Sequence, residues 1–204
     1  MRISFSPPLQ TSCRVIAAVA AAAAMTLPAA AQQQHAHTHG RLALDVAVDA
    51  QTITLAIESP LDGFLGFERA PRTDAERKRV ADMVARLNAA DQLFQPDPAA
   101  GCKLSKVDLT STALALGAKK EEEHGHSHAG KDGHDHDHDH EGEHADIDID
   151  VVFTCANAAQ AKFIDIKLFD AYQRIRTIDA QVASPQGQFK RSLRPGAARL
   201  SLTR

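Results

Sequence analysis

Apolar residues alternate with polar or small residues in two consecutive segments after residue 40. In the first segment the apolar side chains are the even-numbered ones of residues 42–48, and in the second they are the odd-numbered ones of residues 53–57. A period of two is typical of β-strands that bury one face. Because only Asp49, Ala50 and Gln51 separate the segments, we predict a hairpin of two half-buried strands.

The hydrophobic period changes between residues 73 and 88. Thr73 and Glu76 form a capping-box pattern just after Pro71, at the point where a helix would begin. The apolar residues that follow recur at helical spacing. They are Val80, Met83, Val84 and Leu87. The pattern predicts the main helix of the protein.

Further short segments predict the remaining strands. They lie at residues 103–116, 147–153, 164–168, 178–182, 189–193 and 198–202, with a turn at residues 184–187. We therefore predict an α+β fold, a single domain with a mostly antiparallel sheet and one main helix. Seven phenylalanines lie in this domain, and core packing is the expected role of each. They are Phe64, Phe67, Phe94, Phe153, Phe163, Phe169 and Phe189.

All eleven histidines lie in two short clusters, and the predicted strands and helix contain none. The candidate metal ligands are these histidines with three interleaved aspartates, since imidazole is a common neutral ligand and carboxylates offset the charge of a dication. The N-terminal cluster comprises His35, His37 and His39. The central cluster comprises His124, His126, His128, His134, His136, His138, His140 and His144, with Asp135, Asp137 and Asp139.

The central cluster lies in a loop, residues 117–145, that interrupts the predicted domain. Between residues 119 and 145 there is no Val, Ile, Leu, Met or aromatic residue, and residues 121–150 carry twelve acidic residues against one base, Lys131. We expect such a segment to be disordered without metal, because it cannot bury enough apolar area to offset its ordering entropy. At three or four ligands per zinc, eight histidines suffice for about two or three ions. The alternative is a polar spacer that is rich in histidine.

Residues 1–31 have the composition of a secretory signal peptide. Arg2 and Arg14 precede an uncharged apolar run, and a stretch of alanines offers a cleavage site before Gln32. We therefore expect residues 32–204 to form an exported zinc-binding domain, with no later segment able to cross a bilayer. Of the three cysteines, Cys102 and Cys155 remain after cleavage, and we expect them to form a disulfide; the alternative is that both are thiolate ligands.

The two histidine clusters could meet, depending on how the strands are arranged. If the first strand continued backwards through Gly40, then His35, His37 and His39 would share its outward side. The acidic residues of the segment 144–150 likewise alternate with apolar ones and would face outward. If these two strands were neighbours, the clusters would form one tighter site; otherwise the N-terminus is a frayed end with no fixed partner.

Six segments follow one another in a defined order. They are the histidine-rich start at 35–40, SPLDGFLGFERAP at 59–71, Ala100-Gly101-Cys102, the histidine loop, Phe153-Thr154-Cys155, and Pro185-Gln186-Gly187-Gln188. This order resembles the zinc-regulated periplasmic proteins of the ZrgA family. The resemblance implies a zinc-binding protein of the Gram-negative periplasm that assists zinc uptake beside an ABC importer and its solute-binding protein. Composition alone would also allow Cu(II), Ni(II) or Co(II).

Three functions are compatible with the clusters. The first is a zinc carrier that passes ions to an importer, the second is a passive metal buffer, and the third is an interaction module switched by histidine protonation. We expect no enzymatic activity, because the chain has no HExxH motif and no nucleophile beside a base. Nucleic acid is not an expected partner of an exported chain with a net charge of −3.

Overall fold

The computed structural model of the protein describes residues 38–117 and 145–204, which belong to one compact unit, Ala36–Arg204. Nine strands are present in these residues: β1 (Arg41–Val48), β2 (Thr52–Pro60), β3 (Phe94–Pro96), β4 (Cys102–Thr110), β5 (Asp146–Cys155), β6 (Phe163–Ile166), β7 (Thr177–Ser184), β8 (Gly187–Leu193) and β9 (Arg199–Ser201). The helices are α1 (Asp62–Leu65), α2 (Asp74–Asn88), α3 (Ala90–Leu93) and α4 (Leu168–Ala171), with 3-10 turns at Pro98–Ala100 and Ala158–Gln160.

The strands form one large and one small sheet. The large sheet has the order β4-β5-β2-β1-β7-β8, and the small sheet has the order β3-β6-β9. All neighbouring strands are antiparallel except β1 and β7, which are parallel. The predicted α+β fold, a single domain with a mostly antiparallel sheet and one main helix, is confirmed.

One face of the large sheet carries the core. The alternating residues identified in the sequence, such as Leu44, Leu55 and Ile149, are buried there and belong to one hydrophobic cluster. Met83 and Leu87 of α2 belong to the same cluster. The opposite face of the sheet is polar or small in character and largely exposed.

Helix α2 begins as its sequence predicts. The Thr73 hydroxyl accepts a hydrogen bond from the Glu76 backbone N–H at 3.2 Å, and the Glu76 carboxylate accepts one from the Thr73 backbone N–H at 3.3 Å. Arg69 donates two further bonds to Glu76, at 3.0 and 2.8 Å. These bonds, first that from the Arg69 side chain and then that from the Arg72 N–H, lower the pKa of Glu76 to about 2. The segment from Arg69 to Glu76 is thereby tied to the start of the helix.

Two sequence-based expectations needed correction. Phe64, Phe94, Phe153 and Phe169 are buried, but the other three phenylalanines are only partly buried, each beneath a guanidinium group. The stacked pairs are Arg69 on Phe67, Arg199 on Phe163 and Arg191 on Phe189. The extended segment predicted at residues 103–116 ends at Thr110, where the chain turns and closes on itself through a bridge between Ser111 and Leu116.

The predicted disulfide between Cys102 and Cys155 is present, and it links neighbouring strands. The two cysteines lie directly opposite each other at one end of the β4–β5 pair. Because the bond closes a loop of 53 residues, it stabilises the fold by about 4 kcal/mol in the chain-entropy model. Neither sulfur is then a thiolate ligand.

A tight turn precedes β1 and fixes the position of His39. The Arg41 N–H donates to the Thr38 carbonyl at 3.0 Å, and Gly40 between them has a φ of +75°. The Gly40 carbonyl accepts bonds from the N–H groups of Arg176 and Thr177, at 2.7 and 3.1 Å. The condition that the first strand continues backwards through Gly40 is therefore not met, because the chain turns there.

Replacing Gly40 by alanine should destabilise the domain by about 2 kcal/mol or more, as measured by denaturant unfolding. A Cβ at this position would lie 2.8 Å from the Arg174 carbonyl oxygen, and the positive φ adds backbone strain. Gly196→Ala is the matched control, because Gly196 has a φ of +84° but no atom within 4 Å of its Cβ position. Equal losses for the two variants would show that the close approach to Arg174 is unimportant.

Candidate metal centre

Both histidine-rich segments join the described body at the same end of the large sheet. The register places Thr110 of β4, Asp148 of β5, Glu58 of β2 and Ala43 of β1 in one row across four strands. The start of β1, the end of β2, the start of β5 and the end of β4 therefore lie side by side. Residues 38 and 145, where the described chain borders the two segments, lie beyond this row. Gly117, the third border residue, lies against Leu109 and Thr110 at the end of β4.

His39 lies at this end of the sheet and contacts two carboxylates. Its Nδ1 is 3.2 Å from Glu68 Oε1 and 3.5 Å from Asp62 Oδ2. The His39 side chain is 63% exposed, whereas the side chains of Glu68 and Asp62 are 13% and 14% exposed. An accessible imidazole thus lies against two largely buried carboxylates, which is a favourable environment for a cation.

The two carboxylates are positioned by the short helix that follows β2. Asp62 is the first residue of α1, and Arg174 donates to its Oδ1 at 2.8 Å and to its carbonyl oxygen at 3.2 Å. Helix α1 ends at Gly66, whose φ of +83° turns the chain so that Glu68 also reaches His39. The N–H of Leu61 donates to the carbonyl of Ala145 at 2.9 Å, which joins this corner to the start of β5.

An acidic row extends from this corner over the exposed face of the sheet. Asp148 lies directly opposite Glu58, and Asp150 lies opposite Asp108. Partial burial, together with the charges of Glu58 and Asp150, raises the pKa of Asp148. Lys106 forms an ion pair with Asp108 at 2.6 Å. The remaining negative charge gives the face a potential that attracts cations.

Within residues 38–117 and 145–204, no three histidine, cysteine, aspartate or glutamate side chains form a metal-binding group by themselves. In that part of the chain there is also no helix with the length and hydropathy of a membrane span.

Comparison with protein families gives one match, which covers nearly the whole of the described body. The model of the ZrgA family zinc uptake protein matches residues 36–202. The chain belongs to the ZrgA family. The resemblance seen in the sequence is thereby confirmed, and the chain has a role in zinc uptake. No curated protein matches the sequence.

Most of the ligands predicted from the sequence of this ZrgA family member lie outside the described residues. Of the eleven histidines, His39 alone belongs to the described part, and it lies at the corner with Asp62 and Glu68. The others, like the predicted signal peptide at residues 1–31, are in the segments not described. They are His35, His37, His124, His126, His128, His134, His136, His138, His140 and His144, with Asp135, Asp137 and Asp139.

The two histidine clusters were expected to form one site if the first strand and the strand after the histidine loop were neighbours. This condition is not met. Strands β1 and β5 are not neighbours, because β2 lies between them. Neighbouring strands are about 4.8 Å apart, so β1 and β5 are separated by about 10 Å. Their starting ends nevertheless lie at the same end of the sheet, since β2 is antiparallel to both.

Sequence reasoning did not identify the carboxylates that contact His39. Asp62 and Glu68 belong to the segment that resembles the ZrgA family, but nothing in their spacing relates them to His39, which lies 23 residues before Asp62 and 29 before Glu68. Arg174, which holds Asp62, is 112 residues further along the chain. The available signal was that Asp62 and Glu68 flank Gly63–Gly66, a short glycine-bounded turn shortly after a buried strand.

Replacing Asp148 by asparagine should raise the free energy of unfolding at pH 7 by a few tenths of a kcal/mol, measured in chelator. The pKa of Asp148 is raised in the folded protein, so its ionised form opposes folding at neutral pH and this cost disappears as the pH falls through that pKa. The gain should therefore vanish in acid. Asp45→Asn is the control, because Asp45 lies on the same face opposite Ala56. Equal gains for both variants would contradict the prediction.

Proposed function

We propose that this member of the ZrgA family is a periplasmic zinc-binding protein that captures Zn²⁺ through its clustered histidines and assists zinc uptake. In this proposal residues 1–31 direct export as a signal peptide, and the mature protein acts as an accessory to an ABC importer, passing ions to the importer's solute-binding protein. Zinc is the cargo of the protein, and the protein has no catalytic activity of its own.

The observation that carries the proposal is the concentration of all eleven histidines in two segments of a zinc uptake protein. A neutral imidazole is a zinc ligand, and the interleaved aspartates of the central cluster can complete the coordination shells. A single histidine-rich segment with many similar ligands binds several ions with fast exchange, which suits a protein that must release what it captures.

The topology supports cooperation between the two clusters. Residues 38, 117 and 145 lie at one end of the large sheet, so both histidine-bearing segments start from the same place as His39. The acidic row at Glu58, Asp148 and Asp150 adds negative potential there. The carboxylates of this row attract a dication to the end of the sheet where His39 lies.

Other borderline metals should also bind the protein in vitro. Cu(II), Ni(II) and Co(II) all accept imidazole ligands, and copper has the highest intrinsic affinity of the series. Selection of zinc in the cell then depends on which metal is available and on the partner that receives it. Membership of a zinc uptake family supports zinc as the ion carried in vivo.

Deleting residues 119–144 should remove most of the bound zinc and leave the stability of the zinc-free protein nearly unchanged, because the deleted segment has no Val, Ile, Leu, Met or aromatic residue to contribute to a core. Ala145 is kept, because its carbonyl accepts a hydrogen bond from the Leu61 N–H. Calorimetric titration counts the ions, and denaturant unfolding in chelator measures the stability. A full-length variant with the eight central histidines changed to asparagine is the control for segment length, and it should lose the same ions. Retention of the zinc by either variant would place the metal elsewhere.

Zinc occupancy of the wild-type protein should fall steeply as the pH is lowered from about 7 to 5. Protonated imidazole does not bind metal, and an unperturbed histidine has a pKa near 6.5. Several histidines share each ion, so the fall should be steeper than a single titration, and zinc binding in weak buffer should release protons. Carboxylates remain ionised throughout this range. Constant occupancy between pH 7 and 5 would mean that aspartates, and not histidines, carry the metal.

A further inference from the structure

In the corner formed by His39, Asp62 and Glu68, the position of the two carboxylates affects which ring nitrogen of His39 can bind a metal. Both carboxylates approach the same ring nitrogen, Nδ1, at 3.2 and 3.5 Å. An ionised carboxylate can only accept a hydrogen bond, so it favours the form of the imidazole that carries its proton on the nitrogen facing it. The two carboxylates therefore favour protonation of Nδ1. In a neutral imidazole with that proton, the lone pair is on Nε2.

We propose that Asp62 and Glu68 are positioning residues that hold His39 with its proton on Nδ1, so that His39 binds zinc through Nε2. The inference rests on the proposed zinc-binding function. It adds three residues to that function, namely Asp62, Glu68 and Arg174, which holds Asp62. Carboxylates that accept the second N–H of a metal-binding histidine fix the ring and increase its basicity as a ligand.

The Asp62 carboxylate is itself held by a contact that does not involve His39, and Glu68 is placed by the backbone that leads into α2. Arg174 occupies Oδ1 of Asp62 at 2.8 Å, which leaves Oδ2 as the oxygen that faces the imidazole. Glu68 immediately precedes Arg69, whose guanidinium forms two bonds with Glu76 at the start of α2. Because Arg174 holds Asp62 independently of His39, the Asp62 carboxylate defines a fixed place for the ring and does not simply follow it.

The exposed fractions of the three side chains also indicate that His39 binds the metal and that Asp62 and Glu68 support it. Asp62 and Glu68 are 14% and 13% exposed, whereas His39 is 63% exposed and lies between the carboxylates and solvent. A metal arriving from solvent reaches the imidazole before the carboxylates. The described histidine, cysteine and acidic side chains form no metal-binding group of three, which also favours a supporting role for the two carboxylates over direct ligation. Their two negative charges still offset part of the charge of a bound dication through the ring.

The decisive measurement is the ¹⁵N spectrum of the histidine side chains in the full mature protein, before and after addition of one equivalent of Zn²⁺. His39→Gln identifies the His39 signals by their loss. In the zinc-free protein at pH 8 we expect the neutral His39 ring to carry its single proton on Nδ1. After zinc addition we expect the metal-induced ¹⁵N shift on Nε2. A zinc-induced shift on Nδ1 would overturn the proposal, because the carboxylates would then be neighbours of the metal itself.

Substitutions test the energetic consequence. Glu68→Gln combined with Asp62→Asn should lower the affinity for the first zinc ion by about tenfold, measured by competition with a chromophoric chelator, and should shift the His39 proton towards Nε2. Asp179→Asn is the matched control: Asp179 is also paired with an arginine, Arg41, but does not contact His39. The control should retain the wild-type affinity and the wild-type His39 spectrum.

A double-mutant cycle separates positioning from a general effect on the fold. In a His39→Ala background, the two carboxylate substitutions should cause no further loss of zinc affinity. An equal tenfold loss in that background would overturn the proposal, as would unchanged affinity in the presence of His39. If no histidine signal of the wild-type protein responded to zinc, the proposed function itself would fail, and this result is distinct from the other two.

Discussion

The antiparallel pairing of β4 with β5 is the interaction on which the rest of the structure depends. These strands are consecutive in the described chain but are separated by residues 111–145, and the part from 118 to 144 has no Val, Ile, Leu, Met or aromatic residue. The pairing is secured at both ends. The Cys102–Cys155 disulfide closes one end, and at the other the Ser111 hydroxyl donates to the Asp146 carbonyl at 2.7 Å. The sheet is complete without the inserted segment.

The same pairing explains why charge accumulates where it does. Strand β5 enters the sheet with aspartates on its exposed side, beside Glu58 of β2, and its apolar residues cover the core. Like charges that lie opposite each other on paired strands destabilise the pairing. Here the buried face and the disulfide supply the stability, so the exposed face can keep a negative potential that serves the chemistry of cations.

The local patterns of the sequence predicted the elements well, and the contacts across the fold much less. The alternation at residues 42–48 and the capping box at Thr73 are local signals, and both gave the correct element. The parallel pairing of β1 with β7, and the contact of His39 with Glu68, join residues that are far apart in the chain and that no period relates. Phe67 and Phe189 pack against the core at its edge, as expected in part, but their partial exposure and that of Phe163 could not be predicted, because each depends on an arginine that stacks on the ring.

Both histidine-rich segments join the described body at one end of the large sheet, away from the turns and the disulfide that secure it. The content of these segments and the stability of the body can therefore vary independently. The hairpin at residues 49–51, the turn at residues 185–186 and the disulfide all lie at the opposite end of the large sheet. Residues can be added to or removed from the segment between Gly117 and Ala145 without altering a single strand pair or buried side chain. The length and composition of that segment are therefore not constrained by the strand pairs of the described body.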